Sequence, residues 1–181
     1  MKIGLVRHFK VDIKKNFFMT AEEFDKYTAE YDKAGVIKNE LVVDEEWDKC
    51  YCSSLSRAIT TAKTIYDGEI IVTDKLVEIP TTAWLKLKFH IPYHIWAILN
   101  RIAWIRNHTS QPESRKLTLK RVSEILDTIL SENEGDKNIL IVSHAGTLYE
   151  IRKMLFARGF HGDKFLKASN GKLYVYENKN L

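Results

Sequence analysis

Asn138-Ile139-Leu140-Ile141-Val142-Ser143 runs straight into His144-Ala145-Gly146. Four consecutive apolar residues between polar ends, three of them β-branched, read as a strand buried on both faces, the pattern of a parallel sheet. A helix from about Thr147 to Ala157 follows, closed by Gly159. The same design recurs upstream. Lys2 to Val6 is short and apolar and breaks at Arg7-His8. Lys49-Cys50-Tyr51-Cys52-Ser53 reads as another strand, and Ser54 is placed to cap a helix from Leu55 to about Tyr66, stopped by Asp67-Gly68. Glu69 to Val72 gives a short strand, and Gly171 to Tyr176 a final one.

Between these units lie further helices. Thr20 with Glu23 forms a capping-box pattern for a helix through about Lys33, ended by Gly35. A helix is expected from about Tyr93 to Asn107, after Pro92. Ser114 or Thr118 starts another, running to about Glu132, with a turn at Gly135-Asp136. Strand and helix thus alternate with short connections. This predicts an α/β fold, three-layer α/β/α with a mainly parallel central sheet. No repeat, low-complexity tract or linker divides the chain, so residues 1–181 are expected to form one domain.

The bulk properties exclude several classes. The 181 residues are enough for one core, and 45% hydrophobic with 29% charged is ordinary for a globular protein. The formal charge of +4 suits an anionic ligand, but the basic residues are dispersed, so no nucleic-acid partner is expected. Cys50 and Cys52 stand one residue apart, a poor spacing for a disulfide, and read as two small hydrophobes in a strand in a reducing compartment. The apolar run before Arg7 is too short for a signal peptide, and no stretch of about 18 uncharged apolar residues is present. A cytoplasmic protein with no membrane span is expected.

Chemistry concentrates at three strand ends: Val6-Arg7-His8, Cys52-Ser53-Ser54 with Arg57, and Val142-Ser143-His144. Ligands of open parallel sheets bind just beyond the carboxyl ends of the strands, so all three are expected at one edge. Arginine presents a planar fork of donors that matches phosphate oxygens. Cationic neighbours favour a neutral imidazole, and only the neutral ring has a lone pair for attack. No Gly-rich nucleotide loop or carboxylate metal cage is evident, so no metal and no cofactor are expected, the arginines neutralising charge instead.

Leu5-Val6-Arg7-His8, then Ser53-Ser54-Leu55-Ser56-Arg57-Ala58-Ile59-Thr60-Thr61-Ala62, then Leu76-Val77-Glu78, then Val142-Ser143-His144-Ala145-Gly146 together resemble the histidine phosphatase superfamily, the phosphoglycerate mutase-like proteins. The resemblance runs from residue 3 to about residue 155. It implies that His8 is the nucleophile that becomes phosphohistidine. Arg7, Arg57 and His144 would hold the phosphoryl group, and Glu78 would act as general acid, then general base. Ser53 and the backbone amide of Ala145 would add donors. The activity implied is a metal-independent phosphomonoesterase on a small phosphorylated metabolite. The rivals are a phosphoglycerate mutase-type phosphotransferase and a weakly catalytic module that binds phosphorylated ligands.

The chain also departs from the family. Phe9 stands where the family has glycine, and its ring would form a pocket wall. The family's asparagine a few residues on is not evident, so Lys10 or Lys14 would supply charge instead. After Glu78 comes Ile-Pro-Thr-Thr-Ala-Trp in place of a Gly-x-x-Glu-Gly-type stretch. Residues 80–115 are therefore expected to be a lid or substrate-specificity insertion. Within them, Trp84, Trp96 and Trp104 with Lys86, Lys88, Arg101 and Arg106 read first as core plus pocket wall, second as a homodimer surface and third as a membrane-surface helix. His90 and His94 are spaced to bind a metal but lack a further ligand. Glu113, Ser114 and Arg121 match a family pattern, and their simpler reading is a helix cap with a nearby side-chain pair.

Overall fold

The strand at Asn138–Ser143 lies inside a six-stranded sheet, with a neighbour on each side. The computed structural model describes residues 1–38, 41, 43, 46–133, 135 and 137–178. In chain order the elements are β1 (Lys2–Arg7), β2 (Lys10–Val11), β3 (Phe18–Met19), α1 (Ala21–Lys33), β4 (Val36–Ile37), β5 (Lys49–Ser53) and α2 (Ser56–Ile65). Then follow β6 (Ile70–Thr73), a 3₁₀ turn at Asp74–Leu76, β7 (Ile91–Pro92), α3 (Tyr93–Ile105), α4 (Arg115–Glu132), β8 (Asn138–Ser143), α5 (Ala145–Ala157), β9 (His161–Gly162) and β10 (Leu173–Glu177). The sheet order is β6-β5-β8-β1-β10-β9. β6, β5, β8 and β1 run parallel, while β10 pairs antiparallel with β1 and β9 with β10.

The period of two along β8 builds the layers. Ile139 and Ile141 enter one core with Ile3 and Leu5 of β1, Val122, Leu126 and Ile129 of α4, and Leu148, Ile151 and Leu155 of α5. Leu140 and Val142 enter a second core with Val6, Cys50, Cys52, Ala58 and Ala62. Helices therefore cover the sheet on both sides, as the alternation of elements predicts. A third cluster joins α1 to α3 through Met19, Phe24, Ala83 and Trp96. Cys50 and Cys52 are buried free thiols in β5, and burial pushes both thiols up.

The helix starts follow side-chain chemistry. Thr20 and Glu23 make the reciprocal bonds of a capping box on α1. Ser114, not Thr118, caps α4 by accepting from the Leu117 amide at 3.2 Å. α2 departs from expectation. Leu55 occupies the cap position without a side-chain bond, because the Ser54 hydroxyl donates to Asp74 instead. α5 begins at Ala145, two residues earlier than expected, with His144 at the cap position. The two-residue ribbons β2–β4 and β3–β7 carry too little pattern to be read in sequence. The turn expected at Gly135-Asp136 lies partly outside the described residues. Among the described residues no helix is long and apolar enough to cross a membrane.

Candidate active site

Sheet register brings the strand ends together. Arg7 pairs with Ser143, Cys52 with Val142, and the His8 amide donates to the Ser143 carbonyl at 3.0 Å. His8 and His144 then lie with ring centroids 5.0 Å apart, both almost wholly buried.

The hydrogen bonds fix the tautomers. His8 Nδ1 lies 2.6 Å from the Phe9 carbonyl, which can only accept, so the proton sits on Nδ1 and Nε2 keeps its lone pair. Burial pushes this histidine down to about 3, with Arg57 and Arg7 adding to the effect and the Phe9 carbonyl opposing it. The ring is neutral at neutral pH. Arg57 Nε donates to His144 Nδ1 at 3.3 Å, so the His144 proton sits on Nε2, 2.8 Å from Ser53 Oγ. Burial first, then Arg57, His8 and Arg7, hold His144 well below the ordinary imidazole range.

Arg57 is fixed from three sides. Besides His144, it donates to Asp32 Oδ1 at 2.9 Å, and its guanidinium lies over the Tyr31 ring at 5.2 Å. Arg7 donates to the Ala168 carbonyl at 2.9 Å, and its Nε is buried with no partner among the described residues. Asn170 braces the loop by donating to the carbonyls of His8 (2.7 Å) and Phe9 (3.3 Å).

Glu78 follows the 3₁₀ turn. Its Oε1 accepts from the amides of Ile79 (2.9 Å), Gly146 (3.1 Å) and Thr147 (3.3 Å), so the carboxylate sits on the N-terminus of α5. This approach requires a glycine. A Cβ at residue 146 would lie 2.7 Å from Glu78 Oε1 and 3.0 Å from Ile79 Cδ1. Arg7, Arg57, Glu78 and Ala145 line a cavity of about 1240 Å³, whose far wall comes from α1, from residues 79–82 and from α3. Its volume is ample for a small molecule.

The structure thus brings Arg7, Arg57, Glu78 and Ala145 to one cavity wall, with His144 bonded to Arg57 and Ser53 and His8 packed against His144; the two imidazoles are buried and are not among the residues that line the cavity. Two expectations are corrected. Phe9 is not a pocket wall, because its amide donates to Thr61 Oγ1 at 2.8 Å and its ring is fully buried. Lys10 is not a ligand-side charge, because the alternation of β2 buries Val11 and turns Lys10 to solvent. Glu113 and Arg121 form a bidentate pair at 2.7 and 3.0 Å beside the Ser114 cap, in keeping with their simpler reading. Trp96 and Trp104 are buried, and His90 meets Glu23. Among the described residues no group of three or more His, Cys, Asp or Glu side chains could hold a metal ion.

Sequence reasoning missed Tyr31, Asp32, Lys167 and Asn170, which reach the site only through tertiary packing and carry no local motif. Arg101, noted only as a basic neighbour of tryptophans, also lines the cavity.

A parallel sheet with two buried neutral histidines and two arginines at its carboxyl edge defines a class of α/β enzyme built to meet an anion. Comparison with known proteins gives the family. A model of the histidine phosphatase superfamily (branch 1) matches residues 38–180, a span that includes Arg57, Glu78 and His144 and starts beyond His8. The chain belongs to this superfamily and is a phosphoric monoester hydrolase. It is 27% identical over 171 residues to a Hydrogenobacter thermophilus protein provisionally named phosphoserine phosphatase 2, covering 87% of this chain and 80% of that one. Among solved structures, a phosphoserine phosphatase from Entamoeba histolytica in complex with phosphoserine matches with TM-score 0.56 at 17% identity, over 96% of this chain and 89% of the other. The alpha-ribazole phosphatase of Shigella flexneri matches with TM-score 0.51 at 20% identity, over 97% and 89%. Such structural likeness speaks to the fold, which is the phosphoglycerate mutase-like one.

Proposed function

We propose that this chain hydrolyses phosphomonoesters of a small metabolite through a phosphohistidine on His8. The observation that carries the reading is the state of His8: a neutral ring whose only proton is committed to the Phe9 carbonyl, leaving Nε2 as nucleophile. In the first step Nε2 attacks phosphorus. An N–P bond forms, the P–O ester bond breaks, and the leaving oxygen takes its electron pair. Glu78 gives that oxygen a proton, through Oε2, the carboxyl oxygen less used by the backbone amides. The Phe9 carbonyl stabilises the positive ring of the intermediate. In the second step water attacks phosphorus, Glu78 takes its proton, and the N–P bond returns its electrons to His8. Arg7 and Arg57 offset the phosphoryl charge throughout. In this reading residues 1–181 act as one domain, and the 80–115 segment supplies the wall that meets the leaving group.

Release of phosphate from p-nitrophenyl phosphate tests this. The protein is expected to turn it over equally with and without a chelator, and to take up an acid-labile label. His8→Ala is expected to remove the label and lower turnover by at least about 10³-fold, as loss of a covalent nucleophile does. No turnover by the intact protein refutes the phosphatase. Surviving label in His8→Ala refutes the nucleophile, and loss of turnover on chelation refutes the metal-free step.

A further inference from the structure

Most charged side chains of the cavity wall are already paired. Arg57 meets Asp32, Arg121 meets Glu113, Asp25 meets Lys86 and the Ala83 amide, and Glu78 is held by backbone amides. Arg101, on α3, is different. Among the described residues it has no carboxylate within ion-pair distance and no hydrogen bond. Its guanidinium lies over the Trp104 ring at 4.5 Å. Trp104 is itself immobilised, 3% exposed, with its indole N–H on Thr118 Oγ1 at 3.1 Å. A guanidinium resting on a fixed aromatic ring has its position set while its donors stay free.

Its place is beside the reacting groups. The point where a Cβ of residue 146 would stand is 2.7 Å from Glu78 Oε1 and 3.4 Å from Arg101 Nη2. Arg101 Nη2 is therefore close to Glu78 Oε1 without pairing to it. Lys167, which also lines the cavity, is a second cation without an ion-pair partner among the described residues. Burial lowers it, with Arg7 and Lys15 adding to the effect and Glu78 opposing it. Once Arg7 and Arg57 serve the phosphoryl group, Arg101 and Lys167 leave the cavity with more positive charge than Glu78 balances.

We propose that Arg101 recognises a second negative charge on the leaving group. Preferred substrates are then phosphomonoesters that carry a carboxylate or a further phosphate close to the scissile oxygen. This rests on the phosphomonoesterase reading above and names the substrate class of the same site.

Two matched pairs of esters test it: 3-phosphoglycerate against glycerol 1-phosphate for the carboxylate, and propane-1,3-diol bisphosphate against 3-hydroxypropyl phosphate for the phosphate. The wild type is expected to favour the more anionic member of at least one pair by about tenfold or more in kcat/KM, through KM rather than kcat, an effect that weakens with added salt. Arg101→Gln is expected to bring that ratio to within about twofold, and Arg101→Lys to restore part of it. Each ratio is taken within one protein, so a lower folded fraction cancels. A wild-type ratio near unity in both pairs, or a preference that survives Arg101→Gln, overturns the assignment. Turnover of p-nitrophenyl phosphate with none of the four esters overturns it too. No turnover of any ester overturns the phosphomonoesterase reading and this one with it.

Discussion

The carboxyl edge of the sheet and the wall contributed by residues 80–115 meet in one cavity, yet they are finished to different degrees. At the edge, both ring nitrogens of His144 are bonded, His8 Nδ1 is bonded, and Arg57 is tied to His144 and Asp32. Among the described residues His8 Nε2 and the buried Arg7 Nε are left without partners. In the wall, among the described residues, Asn100 Nδ2 and Gln111 Oε1 are buried without partners and Arg101 has no carboxylate within ion-pair distance. Arg101 is held through its aromatic contact alone, so its donors remain available. The difference separates a reacting end preorganised before any ligand arrives from a recognition end that waits for one.

Three substitutions or conditions sharpen or break that contrast. The largest effect is expected from Phe9→Ala, which empties a fully buried ring position at the edge. Stability is expected to fall by about 3–5 kcal/mol in urea unfolding, with the substrate profile of the folded fraction unchanged. Unchanged stability with new activity on bulky esters would return Phe9 to the pocket wall. Next comes Glu78→Gln, which keeps an acceptor for the Gly146 and Thr147 amides but has no proton to give. kcat on alkyl phosphates is expected to drop about 10²-fold, and less on p-nitrophenyl phosphate, whose leaving group needs little protonation. An equal drop on both would remove Glu78 as the acid.

The smallest effect is on the pH dependence of stability. His8 is pushed down to about 3 from an unfolded value of 6.5, so the unfolded chain binds more protons between those limits. Stability is therefore full above about pH 6.5 and drains as pH falls toward 3, by up to about 1.4 kcal/mol per pH unit for His8 alone. His144 acts in the same direction. Urea midpoints at pH 7.5 and pH 5 measure this, and His8→Ala is expected to flatten the slope. An unchanged slope would mean that His8 is not held neutral by the fold.

The same contrast explains what was legible in the sequence. β8, β1 and β5 announce themselves because a strand buried on both faces must be apolar throughout, and the residue that ends the run is then conspicuous. The capping box at Thr20 and Glu23 and the cap at Ser114 are local devices and read correctly. Ser54 misled because its hydroxyl had a better acceptor in Asp74, twenty residues away. Phe9 misled because adjacency to His8 in sequence does not place its ring in the cavity. Asp32, Asn170 and Lys167 were invisible for the converse reason: they meet the site from segments that carry no motif of their own, Asp32 from α1 and the other two from the loop before β10. Arg101 was noticed for its company of tryptophans, but only the fold sets it beside Glu78.

The register of β1 against β8 carries one more consequence. Lys2 lies opposite Asn138 and Arg7 opposite Ser143, so the two histidines become neighbours only after most of the chain has been gathered in. Pairings of such wide separation are slow to form, because the loop between them must be closed before any contact compensates its entropy. No early hairpin or isolated helix of this protein can carry the reactive pair, and a nascent chain stays chemically silent until β8 slides between β1 and β5.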